Sequence, residues 1–196
     1  MNEPTKMYIP ILLGTVRQGR ESEKVANLIL SRIQSHYPNI ETKLFDPRLM
    51  DLPLDDEGTV LAERNLEWRN AMVKADGLII VTPEYNHAYP GSLKRALDVL
   101  LKEYIHKAVG LVGVSAGWAG GARAVEALVP VVRELGLVVT FTDLYFPRVH
   151  DFFAEESSLK NDGVYKRIDG FLEELTWMSK ALKHGRDTLP SKFHTK

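Results

Sequence analysis

The chain has 196 residues, 44% of them hydrophobic, with Lys+Arg 25 against Asp+Glu 26 and a net charge of -1, which suits one well-buried domain and falls short of two. No basic run interleaved with aromatics points to nucleic acid or an anionic membrane, and zero cysteines exclude a disulfide framework, thiolate metal sites and a cysteine nucleophile. The N-terminal apolar run is too short to span a bilayer and has no signal-peptide pattern, so the expectation is a soluble, cytoplasmic protein.

Residues 7–13, MYIPILL, read as a first strand, although Pro10 cannot donate to a ladder. The run passes into Gly14-Thr15-Val16-Arg17-Gln18-Gly19-Arg20-Glu21-Ser22, after which Val25, Leu28, Ile29 and Ile33 mark a helix. This order brings free N–H groups, the positive end of a helix dipole and guanidinium forks to one place, an anion site in outline; the other reading is a surface loop with solvated arginines. The loop is neither a Walker A motif nor GxGxxG. Residues 40–45, IETKLF, alternate apolar with polar, as an edge strand does. Asp46–Gly58 carries Pro47, Pro53 and the acids Asp55 to Glu57, and reads as an excursion; without a calcium-loop spacing those acids are assigned to solvent, not metal. A second helix is expected over Thr59–Ala75, with Leu61, Trp68, Ala71, Met72 and Ala75 inward.

The stretch 77–101, GLIIVTPEYNHAYPGSLKRALDVLL, combines a buried strand, a loop and a helix. Ser92 is the expected N-cap, and Leu93, Ala96, Leu97, Leu100 and Leu101 would line one helical face. In the loop, Pro83 and Pro90 fix φ, Tyr85 and Tyr89 offer flat rings, and the amides of Glu84, Tyr85 and Asn86 are expected to be free for a planar, hydrogen-bonding heterocycle. Ala108–Val114 is another buried strand, ending in Ser115-Ala116-Gly117-Trp118-Ala119-Gly120-Gly121. A helix then runs to Leu135, kinked at Pro130 and stopped by Gly136. Residues 137–142 make a fifth strand, Asp143–Ser158 is irregular, and Val164, Ile168, Phe171, Leu172, Leu175, Met178 and Leu182 define a last helix. The domain spans 1–185, with 186–196 as a flexible tail.

Five strands alternating with helices imply right-handed crossovers and a doubly wound parallel sheet, helices on both faces. The half-wet second strand fits the edge of the order 2-1-3-4-5. That order has its switch point between strands one and three, where the loops 14–22 and 83–91 meet and a ligand binds.

The motifs G-T-V-R-Q-G-R after strand one, T-P-E-Y-N-H-A-Y-P-G-S-L-K-R-A-L-D after strand three and S-A-G-W-A-G-G after strand four resemble the NADPH-dependent FMN reductase family, the flavodoxin-like quinone, chromate and azo-dye reductases, over roughly residues 7–140. The resemblance implies a flavodoxin-like fold, FMN and NADPH as cofactors, and a homodimer or homotetramer. It implies that Thr15, Arg17 and Ser22 hold the phosphate, that Pro83, Glu84, Tyr85 and Asn86 lie along the isoalloxazine, and that Ser115, Ala116 and Gly117 close its other side. Many relatives carry Ser where Thr15 stands, and Arg20 and Glu21 replace small polar residues, so the outer phosphate contact falls to Ser22 or to Arg20.

FMN would then carry the chemistry, with no catalytic side chain required. The six histidines are scattered without metal-ligand spacing, and no metal is expected. His87 and Tyr85 either touch substrate or close the pocket. Hydride would pass from NADPH to FMN and on to a quinone, azo compound, metal oxyanion or free flavin in turn. The alternative is an electron carrier of the flavodoxin type with no substrate of its own; such carriers tend to be strongly acidic, whereas this chain is nearly neutral with Arg17 and Arg20 in its first loop. A phospho-acceptor receiver would need acids where Gly14-Thr15 and Thr82-Pro83 stand.

Overall fold

The computed structural model describes residues 6–54, 58–153 and 162–193. The expected acidic run Asp55–Glu57 lies outside them. Among the described residues no cluster of metal-ligating side chains occurs, and no helix is long and apolar enough to cross a membrane.

Strand one consists of β1 (Met7–Tyr8) and β2 (Ile11–Leu13), and the edge strand of β3 (Ile40–Glu41) and β4 (Leu44–Phe45). Met7 lies opposite Ile40 and Ile11 opposite Leu44, the same offset, so the two short pairs are one parallel ladder interrupted at Pro10. Pro10 is tolerated because of which side loses a donor. Ile9 and Ile11 donate toward the edge (to Glu41 O and Lys43 O, both 2.9 Å), whereas Pro10 faces inward and contributes only its carbonyl, which accepts from Ile79 N at 2.9 Å.

The central strands are β5 (Gly77–Pro83) and β6 (Ala108–Val114), fully buried and paired along their whole length. Beyond β6 lie β7 (Val138–Val139) and β8 (Leu144–Phe146), both pairing with it. The order β4-β2-β5-β6-β7 corresponds roughly to the expected 2-1-3-4-5, with the first and second of the five expected strands each in two pieces. The fifth is broken where Phe141, 94% exposed, turns out of the sheet.

Alternation along the central strands splits the core in two. Ile79, Val81 and Val112 meet α1 (Glu21–His36) and α7 (Asp162–Thr188) on one face. Leu78, Ile80 and Leu111 meet α3 (Leu66–Lys74), α4 (Gly91–Leu97) and α5 (Ala122–Glu134) on the other. Gly110 admits α7, since a Cβ there would lie 2.5 Å from the Phe171 ring.

Several boundaries differ from the sequence reading, each for a local reason. The expected helix 59–75 is two helices, α2 (Gly58–Arg64) and α3, because Asn65 turns its amide to Asp51: Nδ2 donates to Asp51 O at 2.8 Å and Oδ1 accepts from Asp51 N at 3.0 Å. Ser92 does not cap α4; Pro90 is the N-cap, and Ser92 Oγ donates to Gly14 O at 3.1 Å. The helix stops at Leu97, leaving Leu101 60% exposed. The stretch expected to be irregular contains β8 and the short α6 (Val149–Phe152). Helix α7 runs through Thr188, past the expected start of the tail at 186, because Arg186 is anchored: Nη1 donates to His106 O at 2.8 Å and Nη2 to Asp76 at 3.1 Å.

Asp76 is the hub of that end of the sheet. It is 5% exposed, accepts from Tyr8 N at 3.1 Å, and pairs with Arg186 and with Lys183 at 3.3 Å. Removing one partner of a buried pair strands the others, which costs about 3 kcal/mol, whereas the exposed Lys74–Glu41 pair belongs to a class worth under about 1 kcal/mol. In urea unfolding, Asp76→Ala should therefore lose about 3 kcal/mol and Glu41→Ala far less; equal losses would refute the assignment.

Candidate functional site

Three strand ends converge at the carboxyl edge of the sheet. The first loop leaves β2 at Gly14, whose N–H donates to Val81 O at 2.8 Å, and enters α1 after Gly19 at φ +64. A buried cation shapes it. Arg20, 5% exposed, donates to Thr15 O and to both carboxylate oxygens of Asp46, one at 2.9 Å, with Nε on Glu23 at 3.2 Å. Its fork is thus committed inward, which leaves Ser22 as the candidate for the outer contact. Arg17 is exposed, and its guanidinium makes no hydrogen bond or ion pair among the described residues. Ser22 Oγ is buried with no hydrogen-bond partner among the described residues, which leaves its hydroxyl available to a group in the cavity.

The second loop follows β5. Tyr85 and Ala88 exchange backbone bonds at 2.8 and 3.0 Å around Asn86 (φ 49) and His87 (φ 67), a two-residue turn with both central residues left-handed. Asn at the first position suits this geometry. The turn corrects an expectation from sequence: the Tyr85 amide is spent on Ala88 O, and the Glu84 amide on Val114 O at 3.0 Å. The Tyr85 hydroxyl lies 3.0 Å from Thr15 Oγ1, which also accepts from Arg17 N at 3.3 Å. Thr15 is therefore a strap between the loops, 1% exposed and lining neither cavity described below.

The third loop folds back on its own strand. A Cβ on Gly121, at φ +90, would lie 2.4 Å from Val114 N, and one on Gly113 would lie 2.8 Å from Gly120 O, so only glycines allow the approach. Ser115 and Gly117 are fastened to the segment after β8 through Val149 N to Ser115 O (3.1 Å) and Arg148 N to Gly117 O (3.0 Å).

Two adjoining cavities of about 170 and 370 Å³ result, together in the ~300–1,000 Å³ range of cofactor sites. Arg17, Gly19 and Ser22 from the first loop line the first, with Pro83, Tyr85 and Val114. Glu84, Ser115 and Ala116 are shared by both; Asn86, His87, Gly117, Trp118 and Arg123 line the second. The structure thus gathers Arg17, Ser22, Pro83, Glu84, Tyr85, Asn86, Ser115, Ala116 and Gly117 around one space, leaving Thr15 behind them. Lining residues that sequence reasoning did not put forward for the site include Val149, His150, Arg123 and Trp118. Val149 and His150 sit in a run without periodicity; His150 Nδ1 is 3.7 Å from Glu21 Oε1. Arg123 reads as an ordinary helix residue. Trp118, 81% exposed, offered a signal, a large aromatic amid small residues.

A family model described as NADPH-dependent FMN reductase matches residues 7–151. An NADPH azoreductase of Bacillus sp. strain OY1-2 is 32% identical over 125 residues, 62% of this chain and 66% of that protein. A quinone reductase of Pseudomonas putida is 30% identical over 180 residues, 87% of this chain and 94% of that one. Among solved structures, a flavoenzyme NAD(P)H:(acceptor) oxidoreductase from Paracoccus denitrificans superposes with a TM-score of 0.74 at 22% identity, covering 89% of this chain and 98% of its own.

The inward commitment of Arg20 carries a pH signature through Asp46. Burial opposes the charged carboxylate, but the Arg20 hydrogen bonds and the Arg48 N–H outweigh it, and the Asp46 pKa is lowered. A carboxyl with a lowered folded pKa contributes stability above its unfolded pKa of about 4, lost as pH falls through the folded value. Asp46→Asn should therefore be less stable than wild type at pH 7, with the gap closing below about pH 4. A gap independent of pH in denaturant titrations would disprove it.

Proposed function

The chain belongs to the NADPH-dependent FMN reductase family, and from that premise we propose that it passes reducing equivalents from NADPH through FMN, held between these three loops, to a small acceptor such as a quinone or an azo compound. It is an oxidoreductase with FMN and NADPH as its cofactors. Two relatives carry the names azoreductase and quinone reductase, which supports that acceptor class without choosing within it. The homodimer or homotetramer that the resemblance implies and the cytoplasmic location expected from the sequence are part of the same proposal, and sedimentation velocity decides the oligomer.

FMN when bound supplies the two-electron redox chemistry. The chain's own residues bind and orient it. Arg17 and the Ser22 hydroxyl, at the start of α1, would take the phosphate, where a charge-assisted fork, an unpartnered hydroxyl and the dipole end coincide. Pro83 through Asn86 would lie along the ring system and Ser115 to Gly117 against its other side. The Thr15–Tyr85 bridge keeps the first two loops at a fixed separation. The observation that carries this reading is the buried Ser22 Oγ without a partner beside an Arg17 without a partner among the described residues.

The purified protein should be yellow and release FMN, not FAD, on denaturation. Arg17→Ala and Ser22→Ala should each weaken FMN binding, Arg17→Ala by ten- to hundredfold, since a charge-assisted hydrogen bond is worth about 1.5–3 kcal/mol. The comparison variant is Arg133→Ala, on an exposed face of α5; Arg186 is unsuitable because it is anchored to Asp76. Equal FMN affinity across the three variants, measured by fluorescence titration, would remove the phosphate assignment.

Because the two cavities share Glu84, Ser115 and Ala116, donor and acceptor would use one opening alternately. Double-reciprocal plots against NADPH and a quinone should give parallel lines. Intersecting lines would mean both bind at once.

A further inference from the structure

Glu84 stands where the two cavities meet, and its carboxylate is divided between two environments. Oε1 accepts from Arg123 Nη1 at 2.7 Å, in a side chain only 9% exposed. Oε2 is buried with no hydrogen-bond partner. The neighbouring backbone donors are spent, the Glu84 amide on Val114 O and the Tyr85 amide on Ala88 O. A desolvated carboxylate oxygen without a donor is strongly unfavourable, and what relieves it has to come from the cavities that Glu84 lines.

We propose that the Glu84 carboxylate accepts a hydrogen bond from a ring N–H or ribityl hydroxyl of bound FMN, and that Arg123 is a positioning residue whose pairing with Glu84 sets the reduction potential of the flavin. This rests on the FMN reading above. Arg123 belongs to the first turn of α5, and through it the pair ties the loop after β5 to the loop after β6. A carboxylate beside a redox group opposes the arrival of electrons, and a guanidinium pairing with that carboxylate offsets much of its field. Both effects are larger where water is excluded, as at the Glu84 side chain, 9% exposed, than at the Arg123 end of the pair, 43% exposed. A pair that merely braced two loops would alter stability or FMN affinity but would not move the potential in a charge-dependent direction.

The test uses the holoenzyme and the variants Glu84→Gln and Arg123→Gln. FMN affinity is read by fluorescence titration of the apoprotein, the midpoint potential by equilibration with a reference dye at saturating FMN, and folding by the apoprotein melt. Glutamine at 84 offers one acceptor and one donor between two donors, so one contact is wrong whichever way the amide turns; FMN should bind about tenfold more weakly, and the midpoint should become more positive. Arg123→Gln leaves the carboxylate uncompensated, and the midpoint should become more negative. Potentials that stay at the wild-type value, or move in the same direction in both variants, would overturn the proposal and leave the FMN reading standing. Should Glu84→Gln fail to fold, Arg123→Gln decides alone: a midpoint not more negative than wild type overturns it. A wild-type protein that does not bind FMN at all would sink both.

Discussion

Arg20 donates to Thr15 O and to both oxygens of Asp46 while almost wholly buried, and the cavity-bearing end of the sheet depends on that arrangement. A cation removed from water needs its donors filled, and here they are filled by one loop carbonyl and by two carboxylates, on Asp46 just after the edge strand and on Glu23 in α1. The loop between β2 and α1 is thereby closed around its own arginine. Arg48 reinforces it from the next segment, donating to Val16 O at 3.0 Å and to Arg17 O. With its carbonyls occupied on that side, the loop leaves Arg17 exposed and Ser22 at the cavity.

The other two loops are held to the first by equally specific bonds. Ser92 Oγ on Gly14 O and the Tyr85–Thr15 hydroxyl pair join the segment after β5 to the segment after β2. The Glu84–Arg123 pair joins it to the loop after β6, and the Val149 and Arg148 amides close the third side. These bonds hold much of the cavity lining in place, and polar atoms left over there, Ser22 Oγ and Glu84 Oε2 among them, mark where a ligand's own acceptors and donors would fit.

Elements with strong local patterns were legible. The unbroken apolar runs of β5 and β6 could only be strands covered on both faces, and Val25, Ile29 and Ile33 could only line a helix. The loop motifs drew attention to much of the cavity lining, from Arg17 to Gly117, but not to Val149, His150 or Arg123, and Thr15 lies outside the lining. What sequence misjudged was decided by partners far along the chain. Ser92 looked like a cap, but its hydroxyl serves Gly14, 78 residues away. Asn65 sits in a continuous helical pattern and breaks it to grip Asp51. Arg186 looked like part of a loose tail, yet it reaches Asp76, 110 residues earlier.

Arg17 and Arg20 draw the same line within one loop. Composition and spacing determined that a strand, a glycine-bearing loop with two arginines and a helix start would follow one another, because periodicity and turn chemistry act over a few residues. Which arginine turns inward is not a local matter. It depends on Asp46 arriving at the end of the edge strand, 26 residues on, and that arrival depends on the parallel register of β4 beside β2. Local propensity named the groups; only the packed sheet, by choosing which charge could be buried with a partner, assigned one arginine to the fold and left the other exposed at the cavity.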